Sequence, residues 1–199
     1  MNTKRNNSQE IRDRIIKGGP NKMYSASDFS DMNNSQLVAK VLSRLEKETF
    51  LVRLTQGLYL YPQRTRFGIV KPTMFEIATA VMERDHSKVL PSGMTALNQL
   101  GLSTQVPMKA VFITNGTPRT IKVGNQEIVL KRATPKIFSY KSKLFPMVEL
   151  AMKEIGKENI DDSTISLIKE ALSKDEDQVA VRSDYTMAPQ WIKSKLSLV

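Results

Sequence analysis

The chain has 199 residues, no cysteine and a formal net charge of +10. The missing cysteines exclude disulfide frameworks and thiolate metal sites, and the positive balance favours an acidic partner such as nucleic acid. A hydrophobic fraction of 40% supplies packed cores, yet no apolar run approaches the roughly 20 residues that cross a bilayer.

Residues 8–17 predict a first helix, with Ile11, Ile15 and Ile16 as its apolar stripe and Gly18-Gly19-Pro20 as its stop. A brief second helix opens at Ser25 or Ser27, either of which can cap it, and ends near Met32. A third helix follows Asn33-Asn34-Ser35. Val38, Val41, Leu42 and Leu45 recur at helical spacing and form its buried side, while Ser35, Gln36, Lys40, Ser43, Arg44 and Lys47 fall on the other. Phe50, Val52 and Leu54 alternate as a strand does. Thr55-Gln56-Gly57 turns the chain into residues 58–61, and Pro62 ends the return strand. Helix, short helix, amphipathic helix and tight hairpin, in that order, are the layout of a winged helix-turn-helix.

The polar side of the third helix carries groups suited to reading DNA. Asn34 and Gln36 offer amide pairs to adenine, Lys40 and Arg44 reach guanine or phosphate, and Ser35 lies beside them. Arg53 and Gln56 sit on or near the hairpin, within reach of phosphate or the minor groove. Charge agrees with this placement: residues 1–71 carry 13 Lys/Arg against 6 Asp/Glu, residues 72–143 carry 10 against 4, and residues 144–199 carry 7 against 10. The basic excess covers the first two segments, and the last is mildly acidic.

Residues 64–68 read as a junction before Lys71-Pro72, where a helix with Phe75, Ile77, Ala78, Val81 and Met82 on its apolar side runs to about Arg84. Residues 88–91 are extended. A short helix from Ser92 or Gly93 to Leu100 buries Met94, Leu97 and Leu100 and is capped by Gly101. Residues 110–114 form an apolar strand, and 120–123 and 127–132 flank Gly124-Asn125 as a hairpin. The tail is helical. Val148, Met152 and Ile155 mark one helix, and Ile165, Ile168 and Leu172 mark another that Asp161, Asp162 or Ser163 can cap. Asp175-Glu176-Asp177 is expected to be an exposed acidic cap for a further turn, and Trp191, Ile192, Leu196 and Leu198 dock the end of the chain.

Catalytic signatures are missing. His86 stands alone, with neither a second His nor a Cys to complete a metal site, and with no nucleophile-elbow or Gly-rich phosphate loop. No cofactor, metal or enzymatic activity is expected. The N-terminus lacks the apolar centre of a secretory signal, so the cytoplasm is the expected compartment and a membrane is not an expected partner.

The segments Leu54-Thr55-Gln56-Gly57-Leu58-Tyr59 and Ser92-Gly93-Met94-Thr95-Ala96-Leu97-Asn98-Gln99-Leu100-Gly101-Leu102-Ser103-Thr104-Gln105-Val106-Pro107, followed by Val111-Phe112-Ile113-Thr114-Asn115-Gly116, resemble the AbiEi-type antitoxins of type IV toxin–antitoxin systems. The resemblance covers about residues 8–132 and implies a DNA-binding autorepressor that also counteracts a toxin. Such toxins look nucleotidyltransferase-like, and no stable complex with them is required. The expectation is therefore an α+β protein: a winged helix-turn-helix DNA-binding domain over 1–66, then a mixed α/β antitoxin-like domain with a helical C-terminal tail over 72–199. Its partners would be double-stranded DNA and, functionally, the toxin. The alternative is a winged-helix transcriptional regulator with a ligand-binding or dimerisation domain and no toxin partner.

Overall fold

A computed structural model describes residues 7–105 and 109–198. The fold is α+β and divides into two compact units, one comprising the chain up to His86 with Ile121–Glu127, the other Ser87–Thr120 with the chain from Ile128 onward.

In the first unit, α1 (Asn7–Gly18), β1 (Lys22–Tyr24), a 3-10 helix (Ala26–Met32), α2 (Ser35–Lys47), β2 (Val52–Thr55) and β3 (Leu58–Tyr61) follow in order. The sheet has β3 in the middle, antiparallel to both β1 and β2. Its core is Ile11 and Ile15 of α1, Phe29, the α2 residues Val38, Val41, Leu42 and Leu45, and Tyr24, Leu51 and Tyr59. Ile16, expected on the α1 stripe, is 50% exposed instead. At i+5 from Ile11 it lies well round the helix from the Ile11–Ile15 line.

Gly18 ends α1 for a packing reason: the Tyr24 hydroxyl occupies the space that a Cβ there would need. That hydroxyl donates to the Ile15 carbonyl at 3.2 Å, so β1 is tied to the helix end. The second helix forms as 3-10 turns that kink at Phe29. It starts where the Asp28 carboxylate accepts the Ser25 N–H at 2.7 Å.

Residues 64–68 are more than a junction. They belong to a small hairpin of β4 (Arg64–Thr65) and β5 (Gly68–Ile69), paired Arg64 to Ile69 and Thr65 to Gly68. Helix α3 (Met74–Arg84) then starts at Thr73, not Pro72. The Thr73 hydroxyl accepts the Glu76 N–H at 3.2 Å while the Glu76 carboxylate accepts the Thr73 N–H at 2.7 Å, a reciprocal cap. These bonds hold the Glu76 carboxyl below its ordinary range. Helix α3 belongs to the first unit, so the compact units divide after His86, whereas the sequence pattern suggests a break between 66 and 72.

After His86 come β6 (Val89–Pro91), α4 (Gly93–Gln99), β7 (Ala110–Thr114), β8 (Arg119–Val123) and β9 (Gln126–Arg132), of which Ile121–Glu127 falls in the first unit, and then the helical part of the second unit, α5 (Phe145–Ile155), α6 (Asp162–Ser173), α7 (Gln178–Met187) and α8 (Gln190–Leu196). The sheet order is β6-β7-β9-β8, with β6 antiparallel and β9 parallel to β7. The core gathers Phe145, Val148, Met152, Ile168, Leu172, Ile192 and Leu196, so the end of the described chain docks within its own unit. Helix α4 packs on α5 through Ala96, Leu97 and Ala151, while Met94 and Leu100 are only partly buried. Val106 and Pro107 of the 92–107 segment lie outside the described residues.

The acidic run 175–177 departs from expectation at its first residue; Glu176 and Asp177 are exposed, and Asp177 caps the next helix as expected. Asp175 is buried: its carboxylate accepts the Ser142 hydroxyl at 2.7 Å and the Leu144 N–H at 3.1 Å. Asp177 caps α7, accepting the Ala180 N–H at 2.9 Å. Two more buried acids hold the same loop. Asp184 accepts the N–H groups of Lys141 and Ser142, and Glu149 accepts the Tyr140 hydroxyl and pairs with Lys153 at 2.5 Å. Ser142 Oγ in turn accepts the Phe145 N–H at 2.9 Å, so the loop before α5 is fixed by side chains at nearly every residue. Burial and the Glu149 contact push the Tyr140 phenol up.

Burial acts to raise the Asp175 carboxyl, but the hydrogen bonds from Ser142 and from backbone N–H groups outweigh it and hold the group below its ordinary 3.8. Its ionised form therefore stabilises the native state fully above that ordinary value, and the contribution disappears as pH falls through the lowered native one. Asp175→Asn should lower the thermal midpoint of the second unit at neutral pH, and the gap to wild type should close in acid below 3.8. Calorimetric scans across pH check this; a gap that stays constant would mean that the carboxylate's charge contributes nothing.

Candidate nucleic-acid interface

Helix α2 begins with Asn34, whose side-chain oxygen accepts the Leu37 N–H at 3.0 Å. Four aliphatic residues, Val38, Val41, Leu42 and Leu45, are buried on one side. At 100° per residue the opposite direction holds Gln36, Lys40, Ser43 and Lys47, a stripe about 16 Å long. Gln36, Lys40 and Lys47 are exposed. Neither Lys40 nor Lys47 makes an ion pair or side-chain hydrogen bond to another described residue.

The expected contact residues divide accordingly. Ser35, Gln36 and Lys40 lie together on the exposed N-terminal half of α2. Asn34 lies exposed at its tip with its side-chain oxygen engaged in capping. Arg44 falls at the stripe's edge. It pairs with Glu48 at 3.6 Å and donates to the Ser8 hydroxyl on α1. Arg53 is exposed on β2, opposite Tyr59 of β3. Gln56 forms the hairpin turn with Gly57, whose φ of +71° is the left-handed conformation the turn requires. Its backbone carbonyl accepts Arg84 Nη1 at 3.0 Å, anchoring the turn to α3.

Not every cation of this unit is available. Arg14 pairs with Glu10 at 2.6 Å and Asp31 at 2.7 Å, which ties α1 to the 3-10 helix, raises the guanidinium and lowers the Asp31 carboxyl. Arg12 pairs with Glu48 at 3.2 Å and stacks over the Phe50 ring at 4.3 Å. Two exposed basic features replace them. Lys47 extends the α2 stripe by a further two turns, which its i+7 spacing from Lys40 signals. Arg64, Arg66 and Phe67 stand on the β4–β5 hairpin, with the Arg66 guanidinium 4.6 Å from the Phe67 ring centre. Their sequence signal is a stretch, 49–75, that contains Arg53, Arg64, Arg66 and Lys71 and no carboxylate.

His86 follows α3 in a left-handed conformation, φ +53°, and is exposed. It lines a cavity of about 520 Å³ with Lys22, Ser25, Asp28, Glu83 and Arg84 among others. Charges of both signs in that lining select no single ligand chemistry. Among the described residues, no group of three or more His, Asp or Glu side chains is placed to hold a metal ion. No helix among them is long and apolar enough to cross a membrane.

A family model described as DUF6088, a family of unknown function, matches residues 10–180. It runs from α1 into α7 and so spans both compact units. No curated protein matches the chain.

The cap and the exposed stripe are separable by stability. Asn34→Ala should cost about 1 kcal/mol through the lost N-cap, while Lys40→Ala should stay within about 0.5 kcal/mol of wild type. Urea unfolding of the two variants measures both; equal losses would place Lys40 in the fold and not on a free surface.

Proposed function

This chain belongs to the DUF6088 family, and we propose that it is a winged-helix DNA-binding protein, acting as antitoxin and transcriptional autorepressor of a type IV toxin–antitoxin operon in the cytoplasm. The DNA-binding half rests chiefly on one observation: α2 buries its aliphatic side and leaves Gln36, Lys40 and Lys47 exposed, in a unit where an antiparallel hairpin follows directly. A helix with free amide and cationic side chains meets the requirements of major-groove readout. Gln36 supplies an amide to a base edge, Lys40 a cation to guanine or phosphate, and Arg53 and Gln56 extend contact to the backbone or minor groove. Arg44 reaches DNA only by leaving Glu48, so its contact competes with an internal ion pair.

The antitoxin half rests on the likeness of the 54–59, 92–107 and 111–116 segments to AbiEi-type antitoxins. The 92–105 part of the second segment forms α4 and its flanks, packed on α5 through Ala96, Leu97 and Ala151, so the likeness falls on an ordered element of the second unit. In this reading the second unit counteracts a nucleotidyltransferase-like toxin without needing a lasting complex.

Full-length protein should bind a duplex from upstream of its own gene with strong salt dependence. Lys40→Ala should weaken binding by about 1–3 kcal/mol if the contact is to a base edge, or lower the salt slope by about one if it is to phosphate. Gel-shift titration at two salt concentrations decides between these, and equal, negligible binding to upstream and random duplexes rejects DNA binding. Co-expression of the full chain with a nucleotidyltransferase-like protein encoded beside it should restore growth that the latter arrests. DNA binding without rescue would favour the plain regulator.

A further inference from the structure

The β4–β5 hairpin is too short to serve a core. Every residue from Gln63 to Gly68 is exposed, and Phe67 at its tip is 86% exposed. A single exposed aromatic residue is ordinary on a protein surface. Here, however, the tip is held in one conformation. Thr65 Oγ1 accepts the Phe67 N–H at 3.2 Å and donates to the Gly68 carbonyl at 3.0 Å. Gly68, with φ of +113°, lets the chain close. Below the tip, the Val70 N–H donates to the Gln63 carbonyl at 3.0 Å, and Arg64 Nη2 donates to the Thr49 carbonyl at 3.0 Å, which anchors the hairpin to the turn after α2. Order is thus imposed on a segment that buries nothing, and the ordered end presents an apolar ring to water.

The electrostatic setting selects the partner. From 49 to 75 the chain carries Arg53, Arg64, Arg66 and Lys71 and no carboxylate. Arg53, Arg66 and Lys71 are exposed and make no ion pair among the described residues. A hairpin that carries cations in a carboxylate-free stretch and ends in a hydrogen-bonded aromatic tip fits a polyanion with a stacked apolar interior. That is the chemistry of duplex DNA, whose phosphates take the cations and whose base steps admit an apolar wedge from the minor groove.

We propose that the β4–β5 hairpin is a second DNA contact, in which Arg66 engages the phosphates or the minor-groove floor and Phe67 inserts partly between two base pairs and kinks the duplex. The proposal rests on the DNA-binding reading above and deepens it. Helix α2 supplies sequence readout, and the hairpin supplies affinity and deformation. No covalent step is involved. The Phe67 ring leaves the face of Arg66 and exchanges water for base stacking, and the guanidinium is released toward phosphate.

The test uses full-length protein and an upstream duplex of about 30 base pairs, labelled at both ends for energy transfer and carrying a fluorescent adenine analogue at successive steps. Wild type should shorten the end-to-end distance and brighten the analogue at one step as it unstacks. Phe67→Ala should abolish both signals and weaken binding about tenfold, while Phe67→Leu should keep most of the bend. Because the ring is exposed, both variants should unfold at the wild-type midpoint, which circular dichroism checks. If Phe67→Ala binds and bends the duplex as wild type does, the wedge is wrong and the DNA-binding reading stands. If wild type binds no duplex, that reading falls and takes the wedge with it. Tighter binding to single-stranded DNA than to duplex, or binding to anionic lipid vesicles in place of duplex, would overturn the wedge in favour of a stacking platform or a membrane contact.

Discussion

Four aliphatic side chains on one side of α2 govern what the first unit can present. Val38, Val41, Leu42 and Leu45 are buried against Ile11, Ile15 and Phe29. Rotating α2 by even one residue, 100°, would expose part of that set, at a cost of order 1.5–3 kcal/mol for each side chain lost to water. The helix is therefore locked about its axis, and Gln36, Lys40, Ser43 and Lys47 have one direction available to them. The same lock decides the fate of Arg44, which meets Ser8 on α1 and Glu48 one turn along at the end of its own helix. Packing, not charge, separates the helix's free cations from its committed ones.

In the second unit, carboxylates perform the work that aliphatic groups perform in the first. Glu149, Asp175 and Asp184 are buried, and each accepts hydrogen bonds from the loop before α5. Buried carboxylates are costly unless their oxygens are satisfied, and here each is. Asp161 and Asp177 cap α6 and α7. The Asp161 carboxyl, hydrogen-bonded by Thr164, is lowered to about 2. Half of the 10 acids in 144–199 thus have a stated structural partner. The acidic balance of the tail is for that reason a poor sign of an acidic surface.

Much of the element order was legible because it follows from periodicity. The α2 stripe, the 110–114 strand, the hairpin about Gly124-Asn125 and the α5 face all rest on short-range patterns that a sequence displays directly. What was hidden required knowledge of where a side chain ends. Asp175 sits in an acidic run that reads as solvated, and only the fold brings Ser142 and Leu144 to it across more than 30 positions. The cap of α3 was legible in Thr73-Met74-Phe75-Glu76, where Thr and Glu stand three apart, but Pro72 is the louder signal and draws the boundary to itself. The β4–β5 hairpin escaped because strands of two residues have no periodicity to detect. For α2, which residues are buried and which are exposed was readable. Which arginines were already taken was not, since Arg12 and Arg44 share a carboxylate that is 36 positions from one and 4 from the other.

That last distinction bears on how the charge of the chain is to be weighed. The formal +10 counts every cation equally. A duplex does not, because the salt dependence of binding follows the number of phosphates neutralised, about 0.9 per contact. An arginine already paired must give up one partner to gain another and contributes little to that slope. Arg12, Arg14 and Arg44 are paired with Glu10, Asp31 and Glu48. Lys40, Lys47, Arg53, Arg66 and Lys71 have no such partner among the described residues. In order along the chain they lie on α2, on the hairpin that follows it, at the tip of the next hairpin and just before α3. The effective charge of the first unit toward a polyanion is therefore set by these side chains rather than by the net sum. Two of the three elements that display them, the β2–β3 and β4–β5 hairpins, fall in a stretch that contains no carboxylate.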